Sequence, residues 1–260
     1  MPFAQLSRVK LHYYEHGHGP ERVVFIHGFE ASARIWQLVQ EALPADRYHT
    51  IAIDNRGAGQ SDAPSDPADY GVRIFAADAF ELITQLGWSD FTLVGHSLGG
   101  ATVSVFAVEH PELLKGLMLL NPSDPDGSPV RDDFDAVVDG FLARRREQLL
   151  TDPYPTDTEF DRLLSADMNA APDARLRGSL RSMMGLGLGT AVGALPMKVL
   201  LACGDADDTI ALPAMLATWA KLPAGSGLHV WHGVGHAPNI ENPTRMARVL
   251  QRFIERTPPR

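Results

Sequence analysis

Residues 91–100 of this 260-residue chain read Phe91-Thr92-Leu93-Val94-Gly95-His96-Ser97-Leu98-Gly99-Gly100, and they are the strongest indication of its fold. The apolar start of this stretch, Phe91 to Val94, predicts a buried strand, and the residues from Leu98 to Glu109 predict a helix that ends before Pro111. Between them, Gly-x-Ser-x-Gly is typical of a sharp strand-to-helix turn in which glycines leave room for neighbouring backbone. Such a turn presents the serine at a helix start, where the helix dipole favours negative charge.

Short apolar runs alternate with helical patterns along the rest of the chain. Helical stretches such as Ile74 to Leu86 are long enough to be crossover connections, so the pattern predicts a mainly parallel sheet buried on both faces. The segment from Arg8 to Tyr14 alternates and predicts an antiparallel edge hairpin, and Cys203 is predicted to be a buried strand residue. The other predicted strands are Val23 to Ile26, Thr50 to Ile53, Leu117 to Leu120, Val199 to Ala202 and Leu228 to Trp231.

Residues 123–193 break this rhythm because they show no clear strand pattern. Between residues 123 and 190 there are 13 Asp or Glu, 8 Arg and no Lys, so this part holds −5 of the net charge of −9. We expect a helical lid at 123–193, inserted into a core of residues 1–122 and 194–260; the alternative, that these helices only pad the sheet edge, stays open. The run at 144–146 (Arg-Arg-Arg) is expected to be a solvated helix face. The predicted helices are Phe134 to Leu150, Thr158 to Ala166 and Ala174 to Met184.

Composition and charge exclude several classes of function. A net charge of −9 makes nucleic acid and anionic membrane surfaces poor partners. The start Met1-Pro2-Phe3 lacks the pattern of a secretory signal, no run of about 18 apolar residues occurs, and one cysteine cannot form an internal disulfide. We therefore expect a cytoplasmic protein that acts on a small molecule, with its oligomeric state left open.

The nucleophile turn in its strand and helix context resembles the α/β-hydrolase superfamily, in particular its small lidded members. The resemblance runs from about Val9 to Ile254, although the lid matches only in position and size. It implies an α/β fold with an eight-stranded, mostly parallel sheet, helices on both faces and a helical lid insertion. It also implies that loops at one edge of the sheet form the site.

The resemblance implies a Ser-His-Asp triad with Ser97 as the nucleophile. His236 lies on a loop just after the last predicted strand, where this family has its base, and His232 is the nearest rival. The family pattern Gly-x-x-Asp selects Asp207 as the acid in Gly204-Asp205-Ala206-Asp207-Asp208-Thr209. Asp205 and Asp208 lie close enough to stay alternatives, and Asp124 is a more distant one. We expect hydrogen bonds to link the hydroxyl, the imidazole and the carboxylate.

An oxyanion hole is implied by His27-Gly28-Phe29, which follows the strand Val23 to Ile26. In the family, the residue after the His-Gly pair and the residue after the nucleophile donate backbone N–H groups, which here are Phe29 and Leu98. Glu30 departs from the family, because a carboxylate there would oppose the developing charge unless it is paired or points away. Residues expected to contact substrate are His27, Gly28, Glu30, His96, Met183 and Met184, although the two methionines are equally consistent with packing.

The residue types narrow the reaction. Dehalogenases and epoxide hydrolases of this superfamily have Asp at the position of Ser97, hydroxynitrile lyases have Lys at Ala237, and many C–C hydrolases have Asn at His96. The remaining expectation is hydrolysis of a carboxylic ester or lactone, or of a thioester or amide, through an acyl-enzyme. Alternatives are a small-molecule receptor with a slow triad, a cofactor-free haloperoxidase or a C–C hydrolase. No metal-ligand spacing or phosphate loop occurs, so no cofactor or metal is expected, and Asp54 and Arg56 are interpreted as structural.

Overall fold

The computed structural model describes residues 2–151 and 158–258, in which one sheet of eight strands forms the centre. In space the strands follow the order β1-β2-β4-β3-β5-β6-β7-β8. The first two strands run antiparallel to their neighbours, and all pairs from β4 to β8 are parallel. The strands are β1 (Phe3–Gln5), β2 (Lys10–Gly17), β3 (Glu21–Ile26), β4 (Tyr48–Ile53), β5 (Phe91–His96), β6 (Leu114–Leu120), β7 (Lys198–Gly204) and β8 (Gly227–Trp231).

Helices cover both faces of the sheet because neighbouring strand residues point to opposite sides. In β3, Val24 joins an apolar cluster that includes Phe75 and Phe106, whereas Phe25 joins a second cluster that includes Val39 and Leu250. The helices are α1 (Gln37–Glu41), α2 (Val72–Gln85), α3 (Leu98–Glu109), α4 (Phe134–Thr151), α5 (Glu159–Asn169), α6 (Asp173–Met183), α7 (Gly189–Val192), α8 (Leu212–Ala220), α9 (Pro238–Glu241) and α10 (Pro243–Glu255). The fold class expected from the sequence is therefore confirmed.

Two details of the strand predictions need correction. The edge hairpin begins earlier than Arg8, because β1 already pairs with β2 through Phe3 and His12. The last strand, β8, is not buried on both faces, since it is the free edge of the sheet and Val230 is 38% exposed. Cys203 is fully buried in β7, and burial raises the pKa of its thiol to about 11, as for an inert core residue.

The helices α4 to α7 lie between β6 and β7, within the segment 123–193 that the sequence predicts as a lid. Residues 152–157 of that segment lie outside the described residues. A small apolar cluster holds the segment together, and we call it the insertion cluster; it consists of Phe134, Val138, Leu142, Ala171 and Leu176. Phe29, which follows β3, packs against it, so the insertion lies next to the loop that the sequence assigns to the oxyanion hole. Its role as a lid remains a prediction.

Candidate active site

The turn between β5 and α3 places Ser97 in a strained backbone conformation. Its φ of 54° and ψ of −120° are rarely adopted by a side chain with a Cβ, and such strain is common at functional sites. The Ser97 N–H donates to the carbonyl of Leu120 (3.0 Å), and the Ser97 carbonyl accepts from the N–H groups of Gly100 and Ser123. A Cβ on Gly99 would lie 2.5 Å from the carbonyl oxygen of Ile26, so only glycine permits this close approach to β3.

His236 is held by a carboxylate that is completely buried. Its Nδ1 lies 2.8 Å from Oδ2 of Asp207, and the imidazole is 22% exposed. Because an ionised carboxylate can only accept hydrogen bonds, Nδ1 carries the proton, and in the neutral ring Nε2 then has a free lone pair. The expected hydrogen bond between Asp207 and His236 is therefore present. Among the described residues Ser97 Oγ makes no hydrogen bond, so the expected bond between His236 and Ser97 is not formed. Hydrogen bonds of this type often close only when substrate binds.

Asp207 is surrounded by hydrogen-bond donors. Oδ1 accepts from the N–H groups of Thr209 (2.8 Å) and Ile210 (2.9 Å), and Oδ2 accepts from His236 and from Nδ2 of Asn121 (2.7 Å). Burial by itself would raise the pKa of Asp207, but the hydrogen bonds from His236, Ile210 and Asn121 outweigh it and hold this pKa below its usual value. The carboxylate is therefore charged at neutral pH.

The rival acids and the rival base lie elsewhere. Asp205 accepts from Gly233 N–H and contacts His232, whose imidazole is 98% exposed. Asp124 forms an ion pair with Lys221. Asp208 is exposed on the surface. Within the part of the chain that the structure describes, Asp207 is the acid among these that contacts His236.

Two other loops complete the surroundings of Ser97. His96 Nε2 donates to the carbonyl of His236 (2.8 Å), which fixes the loop of His236 beside the nucleophile turn. A Cβ on Gly28 would lie 3.0 Å from Cβ of Ser97, so the loop after β3 packs directly on the nucleophile. Among the described residues, the backbone N–H groups of Phe29 and Leu98 have no hydrogen-bond acceptor. The nucleophile therefore lies beside two unpaired amides.

His27 and His96, which the sequence places among the residues expected to contact substrate, are buried and neutral, and their contact with substrate stays a prediction. His27 Nδ1 donates to the carbonyl of Gly28 (2.8 Å), and Nε2 accepts from the N–H of Asn55 (3.1 Å), so both nitrogens bind the protein itself. Burial, together with the positive charge of Arg175, holds the pKa of His27 far below its usual value. Burial and the proximity of His236 lower the pKa of His96 to about 3. Both side chains position loops.

Glu30, also expected to contact substrate, forms an ion pair with Arg145 of α4. Arg145 also donates to the carbonyl of Met168 (2.6 Å) at the end of α5. The expectation that residues 144–146 form a solvated face is therefore wrong for Arg145, whose side chain is 9% exposed. The pair neutralises the Glu30 carboxylate and ties the insertion to the loop after β3.

The methionines lie in two different environments. Met183 is buried in the main apolar core. Met184 lines a surface cleft of about 380 Å³ with Phe134, Val138 and Leu180, and Ser97 is not among the residues that line it. Phe141 of α4 packs against Phe29 of the expected oxyanion loop, with ring centroids 5.8 Å apart.

Sequence reasoning missed two residues beside the site. Asn121, at the end of β6, adopts a φ of 41° and donates to Asp207; the Asn-Pro pair at a predicted strand end is a turn signal that identifies it. Arg175 of α6 is buried and donates to the carbonyls of Ala31 (2.9 Å) and Gly57 (3.4 Å), and burial lowers its pKa to about 10. Nothing in the local sequence of α6 distinguishes this arginine from the exposed ones.

Asp54 and Arg56 have the structural role that the sequence suggests. Asp54 contacts Nδ1 of His12 (2.7 Å) and accepts from the N–H of Ala33. Arg56 forms two parallel hydrogen bonds with the buried carboxylate of Asp78 (2.7 and 2.8 Å). These contacts join the loop after β4 to its neighbours beneath the site.

A comparison with protein families identifies the family to which this chain belongs. The family model for the alpha/beta hydrolase fold matches residues 21–177, which is more than half of the chain. The chain belongs to the α/β-hydrolase family. Hydrolases of this family act on small-molecule substrates. No described helix is both long and apolar enough to cross a membrane. No group of three or more His, Cys, Asp or Glu among the described residues is arranged to hold a metal ion.

The relatives that this chain matches are named for several different enzyme activities. This α/β-hydrolase is 27% identical over 266 residues to a putative 2-succinyl-6-hydroxy-2,4-cyclohexadiene-1-carboxylate synthase from Bacillus subtilis, with 90% of each chain covered. It is 36% identical over 120 residues to epoxide hydrolase 3 from Xenopus tropicalis, but that match spans 46% of this chain and 32% of the relative. A thermophilic esterase from Thermogutta terrifontis superposes with a TM-score of 0.78 at 22% identity, covering 96% of this chain and 94% of the esterase, which shows a shared fold.

Proposed function

We propose that this hydrolase cleaves a carboxylic ester or lactone through an acyl-enzyme, with Ser97 as nucleophile, His236 as base and Asp207 as the orienting acid. The observation that carries the proposal is the contact between His236 Nδ1 and Asp207 Oδ2 beside a serine held in a strained turn. In the neutral ring this contact keeps the proton on Nδ1, so that Nε2 has the lone pair that a general base needs. Thioesters and amides are further substrates for the same chemistry.

The reaction divides into two steps. In the first, Ser97 Oγ attacks the carbonyl carbon while Nε2 of His236 takes the hydroxyl proton, and the C–O bond to the alcohol then breaks as that proton passes to the leaving oxygen. In the second, a water molecule gives its proton to His236 and attacks the acyl carbon, and the carboxylic acid leaves as Ser97 recovers its proton. Atoms and charges balance without any cofactor.

The N–H groups of Phe29 and Leu98 are proposed to stabilise the anionic oxygen of each tetrahedral intermediate. Both amides are unpaired among the described residues, and Leu98 is also the first residue of a twelve-residue helix whose dipole favours negative charge there. The ion pair of Glu30 with Arg145 removes the charge that would otherwise oppose this oxyanion. Phe29 and Phe141, which belongs to the insertion that we propose as a lid, offer an apolar wall for the acyl or alcohol group.

The test is a panel of aryl esters, lactones and thioesters with the wild-type protein and the Ser97→Ala variant. We expect Ser97→Ala to lower kcat by a factor on the order of 10⁶, the scale measured when a triad serine is removed. A fluorophosphonate probe should label the wild type and not the variant. His232→Ala is the matched control, because this exposed histidine contacts Asp205 and should leave kcat unchanged. Full esterase activity in Ser97→Ala would refute the nucleophile assignment.

One observation favours a second candidate. The synthase from Bacillus subtilis matches this chain over 90% of both lengths, and its name describes formation of a cyclohexadiene carboxylate. A triad base without a covalent step would suit such a reaction, and then His236 would matter while no acyl group would form on Ser97. Mass spectrometry of protein quenched during turnover of an aryl ester decides between the two candidates, because only the ester hydrolase carries an acyl adduct on Ser97.

A further inference from the structure

A second cleft, of about 340 Å³, lies far from Ser97 in the sheet. It opens where β7 and β8 begin, since Lys198 and Gly227 are the first residues of these strands. Ser97, Asp207 and His236 follow the opposite, carboxyl ends of the strands. The cleft is lined by Lys198, Val199, Leu200, Gly225, Gly227, Leu228, His229, Val249, Arg252, Phe253 and Arg256. We call it the distal cleft.

The distal cleft is positively charged in a protein of net charge −9. Lys198, Arg252 and Arg256 line it, and none of the described residues that line it is Asp or Glu. Arg252 and Arg256 are four residues apart at the end of α10, so their side chains lie on the same face. Within residues 2–151 and 158–258, neither guanidinium has a carboxylate within ion-pair distance; the neighbouring acid, Glu255, pairs instead with Arg47. Two cations at one opening therefore have no carboxylate partner among the described residues.

An unsatisfied imidazole lies in the same wall. Nε2 of His229 is buried and has no hydrogen-bond partner, although the ring packs edge-on against Trp231 at 4.6 Å between centroids. The hydroxyl of Ser226, between the lining residues Gly225 and Gly227, is likewise buried and unpaired. Both polar atoms can therefore form a hydrogen bond to a molecule or a water that enters the cleft. Burial, with Arg245 and Arg252 nearby, lowers the pKa of His229, which keeps the free ring neutral.

The floor of the distal cleft is apolar. Leu200, Leu228, Val249 and Phe253 line it, and a surface of this kind gains free energy by covering a hydrocarbon chain but cannot replace the hydration of an inorganic ion. Its volume is at the small end of the range for ligand sites, which is about 300–1,000 Å³. The combination of cationic rim and apolar floor fits a small molecule with an anionic head and a short apolar body.

We propose that the distal cleft is a binding site for a small carboxylate with an apolar tail, separate from the site of Ser97. Arg252 and Arg256 hold the carboxylate at the rim, and the hydrocarbon tail lies on Leu228, Val249 and Phe253. The proposal does not depend on the reaction at Ser97.

The test is calorimetric titration of the full chain with sodium octanoate, compared with octan-1-ol and with inorganic phosphate. We expect octanoate to bind more tightly than either, since only octanoate uses both the rim and the floor. The double variant Arg252→Gln/Arg256→Gln should weaken octanoate binding about tenfold or more, because each exposed charge-assisted contact contributes modestly. Binding should also weaken between 50 and 300 mM NaCl through screening. Arg248→Gln, an exposed change on the same helix outside the cleft lining, is the matched control and should alter affinity less than twofold.

Amide NMR of the wild-type protein provides a readout that needs no variant. Octanoate should shift the N–H signals of Gly225 and Gly227 and leave those of Gly95 and Gly99 in place. Shifts confined to Gly95 and Gly99 would assign binding to the site of Ser97 and overturn the proposal. Equal affinity of the double variant, or phosphate binding as tight as octanoate, would overturn it too. Failure of esterase activity would leave this result unchanged, so the two proposals fail separately.

Discussion

Replacing Asp207 with Asn separates the charge of the acid from its shape. Oδ1 of Asp207 accepts hydrogen bonds from two backbone N–H groups, and Oδ2 accepts hydrogen bonds from His236 and Asn121. An amide has one oxygen and one NH₂ group, so two of these donors must face another donor. The backbone N–H groups of Thr209 and Ile210 cannot turn, and leaving them unpaired would cost about 1–3 kcal/mol each. The amide oxygen should therefore stay with the backbone, and the NH₂ group should face His236.

Both side chains on that side can adapt, and the adaptation disables the base. Asn121 has a buried, unpaired Oδ1 that accepts from the new NH₂ once its own amide turns over. His236 accepts at Nδ1 only if its proton moves to Nε2, and Nε2 then has no lone pair for the proton of Ser97. The tautomer change predicts a fall in kcat of roughly 10⁴, which is about 5.4 kcal/mol of activation free energy. Because the hydrogen bonds are replaced, stability should change by less than about 2 kcal/mol.

The assay is kcat for an aryl acetate, with urea unfolding of the same preparations. Asp205→Asn and Asp124→Asn are the matched controls, since these carboxylates contact His232 and Lys221 instead. Both controls should stay within threefold of wild-type kcat. The reasoning fails if Asp207→Asn keeps more than a tenth of the wild-type kcat while folded, or if either control loses more.

Two further predictions concern stability. His96 is neutral in the folded protein and has a pKa of about 3 there, below its unfolded value, so its contribution to stability is complete above about pH 6.5 and is lost as pH falls towards 3. His96→Gln should therefore remove about 2 kcal/mol of the stability loss between pH 7 and pH 5, measured by urea unfolding at each pH; an unchanged pH dependence would contradict this. For the partly buried pair of Glu30 and Arg145, a double-mutant cycle with Glu30→Gln and Arg145→Met should give a coupling of about 1–2 kcal/mol in urea unfolding, and additive effects would show that the pair contributes nothing.

The local sequence carried enough information for the sheet, the nucleophile turn and the larger helices. Helix α3 spans the predicted Leu98 to Glu109, and α4 begins at the predicted Phe134. These features depend on neighbours in the chain: apolar periodicity, glycines beside a strained serine, and turn residues at strand ends. The edge position of β8 was not predictable in this way, because a short apolar run looks the same at an edge as in the centre.

In the site, too, features that depend on neighbours in the chain are predictable and features that depend on distant contacts are not. Local spacing in the chain is enough to predict a serine in a strained turn, and a histidine and several acids after later strands. The folded structure is needed to see that Asp207, rather than Asp205, faces His236, and that Glu30 is neutralised by an arginine 115 residues away in the chain. Such pairs depend on where the ends of different strands and helices meet in space, and the residues next to each partner in the chain do not determine that position.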